Sequence, residues 1–362
     1  MAKRIHLLDS LRGIAAMLVV FHHVFVNNSE KFEDGLRNHT FILVVCRFLS
    51  DLNHLAVLFF FVLSGFAIAL ANRNIDLSTK DGINCYLYRR FRRILPLYWL
   101  AIIFTALIGI ITGMSWLNSS YSFLNLLGNI FFLQTPIGIS NAWFSPFGQN
   151  GPLWSLSYEM FFYLFFPIYF FIHISLFKLE QKSVLTYALP ISIAISLASL
   201  ALNQIIFIPF LVFLAQFPVW LGGYYLGQIY SNQVKFDRGI FAPTLGMLFL
   251  FFLNLYLNST TISTLTQAWF IFIIPGYFIH NLSFSQKTAG LKQFNFNTFK
   301  SIGDGSYAIY LMHYPLLQLL KKLNCSLSIH FFCIAIFVYA IIRLEKKMAS
   351  IPFKMFKQNY VP

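Results

Sequence analysis

LNHLAVLFFFVLSGFAIALA, residues 52–71, decides the class of fold. These twenty residues contain no acid, lysine or arginine. At 1.5 Å per residue a helix of that length reaches about 30 Å, the thickness of a bilayer's hydrocarbon core. The rest of the chain has the same character. Of its 362 residues 58% are apolar and 10% charged, whereas a soluble domain carries about 25% charged residues. That deficit excludes an ordinary soluble enzyme, a disordered chain and a fibrous protein. The reading is an all-α polytopic integral membrane protein.

The placement of charge gives a topology. Lys and Arg number 26 against 12 Asp and Glu, a net charge of +14. In a soluble protein this balance would suggest nucleic acid. In an apolar chain basic residues mark the cytoplasmic side and contact anionic lipid headgroups, so the bilayer is the expected partner and nucleic acid is not. The basic start MAKRIHLLDSLRG leads into an apolar run, Ile14–Val26, read as an uncleaved first span with a cytoplasmic N-terminus. The mixed charges of 27–40 place that loop outside. Arg73, Lys80, Arg89, Arg90, Arg92 and Arg93 follow the second span and place their loop in the cytoplasm.

A third span is expected from Leu95 to Gly113. From Ile94 through Tyr158 there is no charged side chain, and within that stretch Phe123–Gln134 is too short to cross. A short re-entrant or interfacial helix is expected near 122–134. Further spans at 158–177, 184–202, 210–230, 240–257, 265–282, 306–323 and 327–342 bring the count to about ten transmembrane helices with both termini cytoplasmic. Lys321 and Lys322 fit poorly, near the outer end of the ninth. Residues 1–345 form one transmembrane domain and 346–362 a basic cytoplasmic tail. Cys46, Cys85, Cys325 and Cys333 show no CxxC spacing and are read as packing residues, and no metal site is expected.

Ionisable groups inside spans are costly and are functional candidates by default. They include His22, His23, Asp51, His54, Glu159, His280 and His313. Arg12 and His23 are eleven residues apart, three helical turns, so they share a face at about 16 Å separation, with His22 turned away. A guanidinium below an imidazole suits an elongated anionic ligand whose reactive end reaches a base. A membrane anchor and a packing histidine would give the same spacing. Arg89, Arg90, Arg92 and Arg93 form a cationic collar, either a stop-transfer anchor or a bidentate phosphate site.

Glu159 is the only acid between Asp81 and Glu180, and it is read as a partner for His23 or for a sugar hydroxyl. Tyr310 and His313, one turn apart, suit either chemistry or a bundle contact. Asp51 and His54 read as a self-neutralising pair. Gly223 and Gly227 have the spacing of a close helix contact.

The same residues carry a resemblance. Leu8-Asp-Ser-Leu-Arg12-Gly through His23, Phe59-Phe-Phe-Val-Leu-Ser64-Gly65-Phe66, Arg89-Arg-Phe-Arg-Arg93-Ile-Leu-Pro96, Gly151-Pro-Leu-Trp154-Ser155-Leu-Ser-Tyr-Glu159 and Ser306-Tyr307 through Tyr310-Leu-Met-His313-Tyr-Pro315 occur in order. In these five pieces the sequence resembles the acyltransferase-3 membrane family, whose members transfer acyl groups, usually acetyl, to carbohydrates and other extracytoplasmic acceptors.

The resemblance implies a multi-pass enzyme of a bacterial inner (cytoplasmic) membrane. It would move an acyl group from cytoplasmic acyl-CoA, acetyl-CoA by the family's habit, to a hydroxyl of O-antigen, exopolysaccharide or a lipid-linked sugar. Acyl-CoA would be a co-substrate, with no cofactor bound. His23, Arg12 and Glu159 would be catalytic; Arg90, Arg93 and Arg89 would hold the CoA phosphates. Trp154, Ser155, Tyr310 and His313 would line the acceptor side. The alternative is a multi-span transporter or flippase for an anionic or acylated substrate, which could tolerate loss of His23 where an enzyme could not.

Overall fold

The computed structural model describes residues 6–231, apart from 74, 114, 116–117, 137–142, 178–183 and 207, together with residues 297–350. Among the described residues the chain is helical and has no strand. Six helical segments among the described residues are long and apolar enough to cross a membrane: Leu8–Asn27, Thr40–Ala71, Lys80–Ile111, Gly151–Ile172, Phe210–Tyr230 and Leu327–Leu344. The expected spans at 240–257 and 265–282, with His280, lie outside the described residues.

In chain order the α-helices are α1 (His6–Asn27), α2 (Ser29–Gly35), α3 (Thr40–Asp51), α4 (Asn53–Ala71), α5 (Lys80–Ile111), α6 (Phe123–Ile130), α7 (Trp154–Phe177), α8 (Val184–Ile205), α9 (Pro209–Tyr230), α10 (Asn297–Asp304), α11 (Ser306–Lys322) and α12 (Leu327–Ser350). Their outward faces are apolar. Ile103, Leu107 and Ile110 on α5 are exposed at helical spacing, as are Phe332, Ile336 and Tyr339 on α12. Stripes of that size are unfavourable in water and natural against lipid.

The described residues fall into two compact units. One draws on Val57–Tyr86 and residues 157–231; the other draws on residues 6–56, Leu87–Leu156 and 297–350.

In the first unit α4, α7 and α9 run in the same direction. Phe61 packs on Tyr158 and Phe162 with ring centroids 6.1 and 5.3 Å apart. Further along, Phe162 meets Phe217 at 5.9 Å and Phe166 meets Trp220 at 5.1 Å. Three glycines allow the close approach of α4 and α9. A Cβ on Gly65 would strike the Trp220 carbonyl, and one on Gly223 the Val62 carbonyl; one on Gly227 would crowd Ala69 and the Phe66 carbonyl. The close contact expected at Gly223 and Gly227 is therefore present, with α4 as its partner. α8 packs back on α9, Ser196 Oγ donating to Ala215 O at 2.7 Å.

In the second unit α1, α5 and α11 run parallel. Gly303 of α10 lies on the Asp9 carbonyl of α1, and His313 of α11 meets His23 further along. Tyr307 OH donates to Ile94 O at 3.2 Å. Asn150 then links Thr105 of α5 to Leu311 of α11. Charge placement assigned α1, α5 and α11 one direction across the membrane and α4, α7 and α9 the other. The pairings within each unit agree with that grouping.

Two segments differ from the expectation in detail. α5 starts at Lys80, not near Leu95, and its 32 residues reach about 48 Å. The arginine collar therefore rides on a helix rather than a loop. The turn before it favours that start: Thr79 Oγ1 accepts the Gly82 N–H at 3.1 Å, a cap on the first turn. The Ser78 hydroxyl and N–H both donate to Asp76, which holds that carboxyl below its ordinary range.

The short helix expected near 122–134 is α6, which ends at Ile130. Its polarity is inverted. Phe123 and Leu124 point outward while Asn125 and Asn129 are buried, where Asn129 donates to Ser145 O and accepts from Phe147 N–H, each at 2.9 Å. Amide side chains thus satisfy the irregular backbone of a charge-free stretch.

Lys321 and Lys322, awkward by charge placement, occupy the last turn of α11. Lys31 also donates to Cys325 O just beyond it at 2.7 Å. Cations are favourable at a helix C-terminus, where carbonyls lack partners.

Candidate active site

The second unit holds a histidine cluster where α1 and α11 meet. His23 Nδ1 lies 2.9 Å from Val19 O, one turn back on its own helix. A carbonyl only accepts, so the His23 proton sits on Nδ1. His313 Nδ1 lies 2.9 Å from Ile309 O and is protonated for the same reason. His313 Nε2 is then an acceptor, 3.2 Å from His23 Nδ1. The His23 N–H is shared between a carbonyl and a second imidazole, and the lone pair is left on His23 Nε2. That nitrogen has no hydrogen-bond partner among the described residues. The Tyr314 ring stands edge-on to His23 at 5.0 Å. His313 is buried, and His23 half-buried.

This arrangement suits a base. On taking a proton at Nε2, the His23 imidazolium would keep two acceptors at Nδ1, which supports the charge without movement. His22 is turned away as expected; its Nδ1 lies 3.0 Å from both Ser50 O and Ser50 Oγ, so it ties α1 to α3.

Arg12 lies on the same unbroken helix as His23, its Nη1 3.7 Å from Asp9 Oδ1. The collar residues differ in environment. Arg90 is buried at 6% exposure, Arg89 is half-buried, and Arg92 and Arg93 are exposed. Ser155 Oγ donates to Tyr310 OH at 2.8 Å, so two residues expected on the acceptor side meet directly. Trp154, at the start of α7, is half-buried. Asp51 and His54 are both exposed and make no pair with each other.

Glu159 belongs to the first unit, and its hydrogen bonds are made there. Ser64 Oγ donates to Glu159 Oε1 at 2.6 Å, and Tyr163 OH donates to the same oxygen.

Four residues given no role by sequence reasoning stand out. Asn150, fully buried, donates 3.0 Å bonds to Thr105 Oγ1 and to Leu311 O, two residues before His313. Tyr163 and Trp220 join Ser64 around Glu159. Ser64 stands inside the quoted Phe59–Phe66 motif and Tyr163 one turn after Glu159. Asn150 and Trp220 carry no comparable signal.

Residues 5–342 match the family profile described as an acyltransferase domain, that of acyltransferase-3. The chain is also similar to acyltransferase MdmB of Streptomyces mycarofaciens, 29% identical over 171 residues. That alignment covers 46% of this chain and 39% of the relative, less than half of either. No solved structure matches the chain. With the profile spanning nearly its whole length, the chain belongs to the acyltransferase-3 family.

Proposed function

We propose that the protein transfers an acyl group, acetyl in the first instance, from cytoplasmic acyl-CoA to a hydroxyl of an extracytoplasmic glycan. O-antigen, exopolysaccharide and lipid-linked sugars at a bacterial inner membrane are the acceptor types that fit. Membership of the family supports acyl transfer, as does the similarity to acyltransferase MdmB. The observation that carries the residue assignment is the bare Nε2 of His23, fixed by two acceptors at Nδ1, on the helix that bears Arg12.

In this reading His23 Nε2 takes the proton of the acceptor hydroxyl. The hydroxyl oxygen forms a C–O bond to the thioester carbon, the C–S bond breaks, and the proton passes to the departing CoA sulfur. Arg90, Arg89 and Arg93 would hold the phosphates of CoA. Arg12, about 16 Å along the helix from His23, suits the anionic end of an elongated donor better than the thioester carbonyl. His313 was expected to line the acceptor side. Its bond to His23 supports a positioning role, in which it fixes the His23 tautomer. Ser155, Tyr310 and Trp154 remain on the acceptor side, and Glu159 binds an acceptor hydroxyl.

The test is acyl transfer by cells expressing the wild type or His23→Ala at matched membrane levels, with acetyl on extracted surface glycans read by mass. Acetyl that appears with the wild type and vanishes with His23→Ala supports the assignment. Equal acetylation by both removes His23 from the chemistry.

A further inference from the structure

The Glu159 cluster draws on three helices of the first unit, α4, α7 and α9. The Ser64 hydroxyl donates to Oε1 at 2.6 Å, and the Tyr163 hydroxyl donates to the same oxygen. The Ser64 and Tyr163 oxygens lie 2.8 Å apart, and the Trp220 indole N–H donates to Ser64 Oγ at 3.3 Å. Each hydroxyl has one hydrogen, and both are spent on Oε1. The indole fills the acceptor side of Ser64. Tyr163 and Trp220 are buried, and Trp220 is held against α4 at Gly65, where no Cβ fits.

The distribution of donors is lopsided. Oε1 receives two hydrogen bonds, while Oε2 has no partner and the carboxylate no ion pair among the described residues. A group that served packing alone would spread its donors over both oxygens; here Oε2 is left unpaired yet not enclosed, so it is open to a donor. Glu159 is half-buried, and its unfilled oxygen is the one feature of this cluster that asks for a donor from outside the protein.

We propose that Ser64, Tyr163 and Trp220 form a donor clamp that fixes the Glu159 carboxylate by Oε1, so that Oε2 accepts the hydrogen of a substrate hydroxyl. This rests on the reading of Glu159 as an acceptor-side residue. Ser64, Tyr163 and Trp220 are positioning residues; only Glu159 touches the substrate. The ligand class is a polyol hydroxyl rather than an anion, since the clamp offers an acceptor oxygen and no cation.

The test uses membranes of cells expressing each variant at matched levels, with acetyl-CoA as donor and the cell's own surface glycan as acceptor. Ser64→Ala and Tyr163→Phe are each expected to lower acetyl transfer by roughly ten-fold, the worth of a hydrogen bond to a charged group. The KM for acetyl-CoA should stay unchanged. Ser64→Thr, which keeps the hydroxyl, should restore most of the rate. In a Glu159→Gln background Ser64→Ala should cost nothing further, because its effect runs through the carboxylate.

If Glu159→Gln is inactive while Ser64→Ala and Tyr163→Phe match the wild type, the clamp is overturned and the role of Glu159 stands. A fully active Glu159→Gln overturns both. A loss in Ser64→Ala that Ser64→Thr fails to restore, or that adds fully to Glu159→Gln, shows a packing role and also overturns the clamp.

Discussion

The two polar clusters solve the same problem with opposite chemistry. Around His23 the neighbours are acceptors, Val19 O and His313 Nε2, and they hold a ring by its N–H. Around Glu159 the neighbours are donors, Ser64 and Tyr163, and they hold a carboxylate by one oxygen. Each leaves one atom bare, a lone-pair nitrogen in one unit and a carboxylate oxygen in the other. The histidine cluster is anchored mainly by bonds within a single turn of α1 and of α11, whereas the carboxylate cluster depends on α4, α7 and α9 together. Local anchoring should survive a disturbance of packing; the three-helix clamp should not.

The largest effect expected is at His23. Replacement by Ala should lower kcat by roughly 10²–10⁴-fold, the usual worth of a positioned general base, measured as acetyl transfer with protein level matched. A wild-type rate would end the contrast by removing one side of it.

Packing separates the clusters next. Gly65→Val should drive its side chain into the Trp220 carbonyl and destabilise the protein by about 1–3 kcal/mol. A thermal melt of the purified protein in detergent reads this. An unchanged melting temperature would show that α4 and α9 can separate at no cost.

His313→Ala should cost roughly ten-fold in kcat by freeing the His23 ring, with little change in the KM for acetyl-CoA. His313→Gln, which can still offer an acceptor to Nδ1, should lose less. An equal loss in both would point to a direct role for the imidazole. The smallest change is expected for Trp220→Phe, which keeps the ring and removes one long hydrogen bond of 3.3 Å: a loss of about three-fold in transfer. A loss as large as that of Glu159→Gln would mean that the indole itself meets the substrate.

Much of the fold was legible in the sequence, because twenty-residue apolar runs and basic loops are local signals. The spans at 52–71 and 210–230 fall on α4 and α9 within a residue, and that at 327–342 on the apolar part of α12, which continues to Ser350. The start of α5 was missed because its first turns are polar and charged, so hydropathy marks the apolar part and not the helix. Arg12 and His23 could be aligned from spacing alone, since one straight helix carries both. The meeting of His23 with His313 could not, because it joins residues 290 apart in sequence. The donors around Glu159 were hidden for the same reason: Ser64 lies 95 residues away, and a serine in a helix signals nothing by itself. The role of Asn150 depends on where a loop returns, which no periodicity encodes.

The parallel run of α4, α7 and α9 has a consequence for biosynthesis. Helices that point the same way cannot form a hairpin with one another, so each must wait for a return segment before its partner arrives. Ser64 and Trp220 are 156 residues apart, and Trp220 is the last member of the clamp to leave the ribosome. Until then Glu159 enters the membrane with only Tyr163 and Ser64 beside it. A nascent chain arrested before residue 220 therefore holds a carboxylate whose companion serine has not yet received the indole that steadies it.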